Sequence, residues 1–215
     1  MHNDYRTTKN CSVYNNISEK KKDLLKIIRI KHPGAKDIHR IISSNDSEYK
    51  DDFMRVYSCK CAYCGISVDL ISRSNFEVDH FICASSKRFP SKSDAGYIDN
   101  LVLACHDCNH DKGSFEISDE KFNDLFPDGE GIKKTFIRDS DYYIKISQEK
   151  EKDKLINDFY NKLNLGSEIH RIDYLLMNML EMKSCLSERS EALLDLLESI
   201  ELLRTKRHLT HRRSR

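Results

Sequence analysis

Two pairs of cysteines, Cys61-Ala62-Tyr63-Cys64 and Cys105-His106-Asp107-Cys108, share the Cys-x2-Cys spacing. At that separation one tight turn aims two thiolates at a single tetrahedral ion, and two such turns complete the four-sulfur shell that zinc takes. A closed shell leaves no position for water or substrate. The expected Zn2+ is therefore structural, contributing folding free energy, on the order of 10–16 kcal/mol in small zinc peptides, and no catalysis. Cys59 lies close by, but Cys59-Lys60-Cys61 has the wrong gap for a matching turn. Cys11, Cys83 and Cys185 read as small semi-apolar residues.

Between the pairs, Phe76-Glu77-Val78-Asp79-His80-Phe81 alternates apolar and acidic residues, which predicts a short strand with Glu77 and Asp79 on one face and a histidine closing it. A polar, basic stretch follows, then Tyr97-Ile98-Asp99-Asn100-Leu101-Val102-Leu103-Ala104 runs into the second cysteine pair, and Asn109-His110-Asp111-Lys112-Gly113 leaves it. In this order the residues resemble the HNH endonuclease family, whose metal-binding ββα motif commonly has a D-H pair, an N-L-x-x-L-C segment and C-x2-C-N-x2-K-G. The resemblance spans about residues 59 to 115, with one small departure: Ala104, not leucine, adjoins Cys105.

The resemblance implies a phosphodiester hydrolase. Such a reaction needs a deprotonated water, charge stabilisation at the phosphoryl group and help for the leaving oxygen. It assigns His80 as the general base, a task suited to a side chain titrating near neutral pH, and Asn100 as the residue that orients the His80 ring. Asp79 and Asn109 would hold a catalytic cation, Mg2+ or Mn2+, since oxygen ligands favour a hard ion. Lys112 would contact a phosphate as a point charge. His106 and His110 read as exposed residues of the second pair, although His110 adjoins Asn109 and is an alternative ligand; Glu77 receives no role beyond support.

The elements that must position these groups are mostly helical. Leu24, Leu25, Ile27 and Ile28 recur at helical spacing after a cap at Ser18, and Pro33-Gly34 ends the segment; residues 37–57 read as one or two further helices. Pro127-Asp128-Gly129-Glu130-Gly131 is a turn signal, and Thr135 to Arg138 and Tyr142 to Ile146 around Asp139-Ser140-Asp141 predict a hairpin. Helical patterns run from Gln148 to Leu165 and resume at Ile169. The expected architecture is α+β and mostly helical: an N-terminal helical segment (1–58), a ββα-metal HNH core with zinc knuckles (59–118), a connecting hairpin region (119–147) and a C-terminal helical region with a basic tail (148–215).

Composition narrows the class. With 39% hydrophobic and 33% charged residues, and only 7 Gly and 3 Pro in 215, the chain suits a helix-rich globule and excludes collagenous or low-complexity readings. No apolar run approaches a membrane span and the start lacks a signal-peptide profile, which points to a cytoplasmic protein without a membrane partner. The net charge of +1 hides an asymmetry, because residues 204–215 hold six of the 36 basic residues and none of the 35 acidic ones, leaving −5 for the rest. That end is either solvated or drawn to phosphates or an acidic partner.

Leu193, Leu194, Leu196, Leu197, Ile200, Leu202 and Leu203 form an apolar face too wide for one short helix, read as internal packing or as a docking surface. An HNH core with a leucine-rich helical end also resembles the HNH subunits of Septu-type anti-phage systems, through Phe136-Ile137-Arg138-Asp139, Phe159-Tyr160-Asn161-Lys162-Leu163-Asn164-Leu165 and Arg171-Ile172-Asp173-Tyr174-Leu175-Leu176. That likeness implies an ATPase partner held by the C-terminal helices. The expected function is thus a metal-dependent endonuclease acting on nucleic acid, DNA ahead of RNA. The competing one is a non-catalytic zinc-dependent module that binds nucleic acid or assembles a complex.

Overall fold

A computed structural model describes residues 4–8, 14–44, 47–183 and 191–213. Three helices lead the chain: α1 (Ile17–Lys31), α2 (Ile38–Ser43) and α3 (Glu48–Val56). In α1 the buried residues Ile17, Lys21, Leu24 and Ile28 recur at steps of three and four, so one stripe faces the core. The helix begins at Ile17, which places the expected cap Ser18 inside its first turn. Asp37 caps α2, its carboxylate accepting from Arg40 N at 3.1 Å.

The central unit is β1 (Phe76–His80), β2 (Leu101–Cys105) and α4 (His106–Lys112). The strands pair antiparallel, Phe76 opposite Cys105 and His80 opposite Leu101. Every residue of β2 is buried, which suits a strand of five apolar residues enclosed on both faces. Because β2 runs directly into α4, the second cysteine pair straddles the strand-to-helix junction. The first pair docks beside it, Ala62 N donating to Leu103 O at 2.7 Å. Gly65 closes the first knuckle at φ 82°, and a Cβ there would lie 2.9 Å from Arg6 O, so only glycine fits this turn.

After α4 come α5 (Asp119–Leu125), α6 (Gly131–Thr135), the expected hairpin as β3 (Phe136–Arg138) with β4 (Ile144–Ile146), α7 (Lys154–Lys162), α8 (Glu168–Lys183) and α9 (Glu191–Arg213). The helix expected from Gln148 starts only at Lys154, because Asp153 caps it by accepting from Ile156 N at 3.1 Å and turns occupy the residues before it. One hydrophobic core runs from Tyr5 to Leu165, and a smaller one joins Ile172 and Leu176 of α8 to Leu196 and Ile200 of α9. The leucine-rich face is therefore partly spent on α8, while Leu194 and Leu202 remain 63% and 72% exposed. No helix among the described residues is long and apolar enough to cross a membrane. Cys11 and Cys185 lie outside the described residues.

Candidate nuclease site

The four cysteines converge as their spacing predicts. Their sulfurs all lie within 4.8 Å of one another and all four residues are buried. Cys64 Sγ and Cys105 Sγ are 3.8 Å apart, which matches the edge of a tetrahedron, about 3.8 Å, set by Zn–S bonds of about 2.3 Å. Burial pushes the Cys61 thiol up, but hydrogen bonds from Cys105, Cys108 and Cys64 outweigh it and hold Cys61 well below the ordinary thiol value. A thiolate among three thiols suits a soft-ligand cation. Cys59 is not part of the group.

Residues far from the motif clamp the first knuckle. Arg6, fully buried, donates to Ala62 O at 2.6 Å and Pro127 O at 2.9 Å and pairs with Asp4 at 2.7 Å, while the Tyr5 hydroxyl donates to Tyr63 O and the Tyr14 hydroxyl to Cys61 O at 2.6 Å. No spacing rule points to these contacts.

Strand alternation places Glu77 and Asp79 on the side of β1 that faces α4. His106, Asn109 and Lys112, one helical turn apart, meet them in order. Glu77 Oε1 lies 2.8 Å from His106 Nδ1, and Glu77 Oε2 accepts from Asn109 Nδ2. Since a carboxylate can accept only from the amide nitrogen, this contact turns Asn109 Oδ1 away from Glu77 and leaves it as a hard oxygen donor. Glu77, given no role from sequence, thus sets the Asn109 side chain.

Asp79 is nearly buried. Its Oδ2 accepts from the Tyr63 hydroxyl at 2.6 Å, and Lys112 Nζ sits 3.0 Å from both carboxylate oxygens. Desolvation pushes the carboxyl above its ordinary value, with Lys112 opposing. Lys112 is fully buried and also donates to His80 O at 2.9 Å, so it does not stand free for a phosphate. The expected point charge is instead a structural counter-ion. Asn109 Oδ1 fits a hard divalent ion, but the Asp79 carboxylate already neutralises Lys112, so an ion there would have to share it with or take it from an ammonium group.

Asn100 also differs from expectation. Its Oδ1 accepts from Ile82 N at 2.9 Å, and its Nδ2 donates to Ile82 O at 3.0 Å and Ala95 O at 2.9 Å. It bonds to backbone and not to the His80 ring, because β1 ends at His80 and the loop polar groups beyond it need internal partners. The His80 ring packs instead on His39 of α2, with centroids 4.1 Å apart and planes inclined by 32°. Burial, then the nearby His39, push His80 down to about 4, with Asp37 opposing, which keeps the ring neutral at pH 7 and also makes it a weaker base than an ordinary imidazole. His39 was missed from sequence; a histidine on a short helix carries no spacing signal.

His110 is exposed on the outer side of α4 beside Asp111. That side borders a cavity of about 460 Å3 lined in part by His110, Asp111, His170, Asp173 and Arg207, with neither His80 nor His39 in its walls. Three basic residues of the C-terminal segment are paired within the chain, Arg204 with Glu201, Lys206 with Glu168 and Arg207 with Asp173.

Residues 61–115 match the family model for HNH endonucleases, so this segment carries an HNH domain. No curated protein and no solved structure matches the chain.

Proposed function

We propose that the HNH domain makes this chain a metal-dependent endonuclease, with His80 as the base that takes a proton from the attacking water. The observation that carries the reading is His80 itself: a partly exposed imidazole at the C-terminal end of β1, inside the matched segment. Positioned general bases contribute roughly 10²–10⁴ in rate. Asn100 holds the loop that follows His80, and Glu77 leaves Asn109 Oδ1 to bind a cation together with Asp79, whose carboxylate the cation would share with Lys112. A bound Mg2+ or Mn2+ supplies charge stabilisation to the phosphoryl oxygens. Zn2+ between the four cysteines keeps β2 and α4 in register with the first knuckle.

DNA stands ahead of RNA as substrate on family likeness. A role in anti-phage defence beside an ATPase follows from the Septu-type resemblance, with the exposed Leu194 and Leu202 of α9 as the docking face. The competing reading, a zinc-dependent binding module without hydrolysis, draws on the closed Lys112–Asp79 pair. Purified protein, alone and with any co-purifying ATPase, is incubated with plasmid or RNA and Mg2+ or Mn2+. Metal-stimulated cutting abolished by His80→Ala supports the nuclease; cutting that survives His80→Ala defeats the base assignment. Binding without cutting in every metal supports the module.

A further inference from the structure

We propose that His39, outside the matched segment, is the positioning residue that sets the plane of the His80 imidazole. The inference rests on the nuclease reading for its catalytic consequence, but its geometry stands independently. The Asn100 side chain bonds to backbone of residues 82 and 95 and makes no bond to the His80 ring. His39 Nε2 lies 2.9 Å from Val78 O. A carbonyl only accepts, so Nε2 is the donor in this contact.

Among the described residues β1 pairs only with β2, which leaves its second edge without a strand neighbour there, and α2 covers that edge with this bond. The bond pins the His39 ring two residues before His80, where it meets the His80 ring at a 4.1 Å centroid separation and a 32° tilt.

The base of α2 is itself held. A Cβ on Gly96 would lie 2.2 Å from Asp37 Oδ1, so the cap of α2 packs directly on the loop whose neighbouring Ala95 O takes the Asn100 amide. Asn100 therefore fixes the loop, the loop seats α2, and α2 presents His39 to His80. A misplacement of about 1 Å at a reacting group can cost about a hundredfold in rate, so a ring plane held by one neighbour is a sensitive point.

The purely architectural role of His39 would be to satisfy Val78 O. Three variants separate the two roles: His39→Gln keeps a donor and loses the ring, His39→Phe keeps a ring and loses the donor, and His39→Ala loses both. Plasmid cleavage is measured as kcat and KM separately, alongside Tm, zinc content and the ring-proton NMR signals of His80. We expect His39→Gln and His39→Ala to lower kcat about ten- to hundredfold with KM within about twofold, and His39→Phe to rescue much of that loss despite a lower Tm. The His80 ring signals move in His39→Gln and His39→Ala, because the neighbouring ring current is gone.

A His39→Gln protein with parental kcat, or a kcat that follows Tm across all three variants, overturns the inference. If the parent cuts nothing, the nuclease reading fails by itself, and the NMR arm still decides whether the ring contact exists: unchanged His80 signals in His39→Gln overturn it.

Discussion

The two sides of β1 are built from different parts of the chain. The acidic side, Glu77 and Asp79, is closed by His106, Asn109 and Lys112 of the helix that follows the adjoining strand, and its central ion pair is buried. The histidine side is half-open, and its partner His39 comes from some forty residues upstream. One side is closed by the helix that continues directly from β2, the strand paired with β1; the other is completed by α2, a separate helix docked on the outer edge of β1.

The strongest break in the frame around β1 is loss of the ion that the four thiols would hold. Stripping the ion with a chelator, or Cys105→Ser, should abolish the cooperative thermal transition, since structural zinc contributes on the order of 10 kcal/mol in small domains; far-UV circular dichroism with zinc analysis reads this, and a transition unchanged by full zinc loss would show that the thiol cluster is self-sufficient. Next comes Lys112→Met, which leaves Asp79 buried with the Tyr63 hydroxyl alone and should cost about 3–5 kcal/mol in urea unfolding. Adding Asp79→Asn to it should return most of that loss, because no buried charge is then left unpaired.

Asn100→Ala removes three buried hydrogen bonds and should cost about 1–3 kcal/mol, together with cleavage, while zinc content is retained. A variant as active as the parent would separate the loop from the base.

His80→Ala should have the smallest effect on stability, under about 1 kcal/mol, yet remove about 10²–10⁴ of cleavage rate. That contrast sharpens the comparison, since changes on the acidic side should move both quantities. The pH dependence of stability gives its smallest term. With His80 held at about 4 in the fold against an ordinary 6.5, the unfolded chain binds its proton more readily. The neutral ring's contribution is thus complete above about 6.5 and is lost as pH falls toward 4. His80→Ala should flatten the stability slope in that window by no more than about 1 kcal/mol, the ring being partly exposed and screened. A slope identical to the parent's would place the acid sensitivity elsewhere.

Much of the frame was legible beforehand. The Cys-x2-Cys spacings predicted the sulfur cluster, the alternation at residues 76–80 predicted the shared acidic face, and the turn residues around 139–141 predicted the hairpin. The site was less legible. Lys112 and Asn100 were expected to face substrate and catalytic ring; both are buried and serve the frame instead. Each carries polar groups that several roles would satisfy, and a motif gives their order without saying which neighbour arrives.

Spacing, strand period and turn chemistry follow from covalent geometry within a few residues, and so the amino-acid order by itself determined the thiolate pairs, the acidic face of β1 and the β3–β4 hairpin, but not the short helices α5 and α6 in the region expected to hold only that hairpin. The docking of α2 on the β1 edge, the burial of Arg6 against the first knuckle and the contact of the His39 and His80 rings were decided only in three dimensions. They depend on which surfaces remain after the core from Tyr5 to Leu165 has closed, a balance of packing and hydrogen-bond satisfaction among segments far apart in the chain.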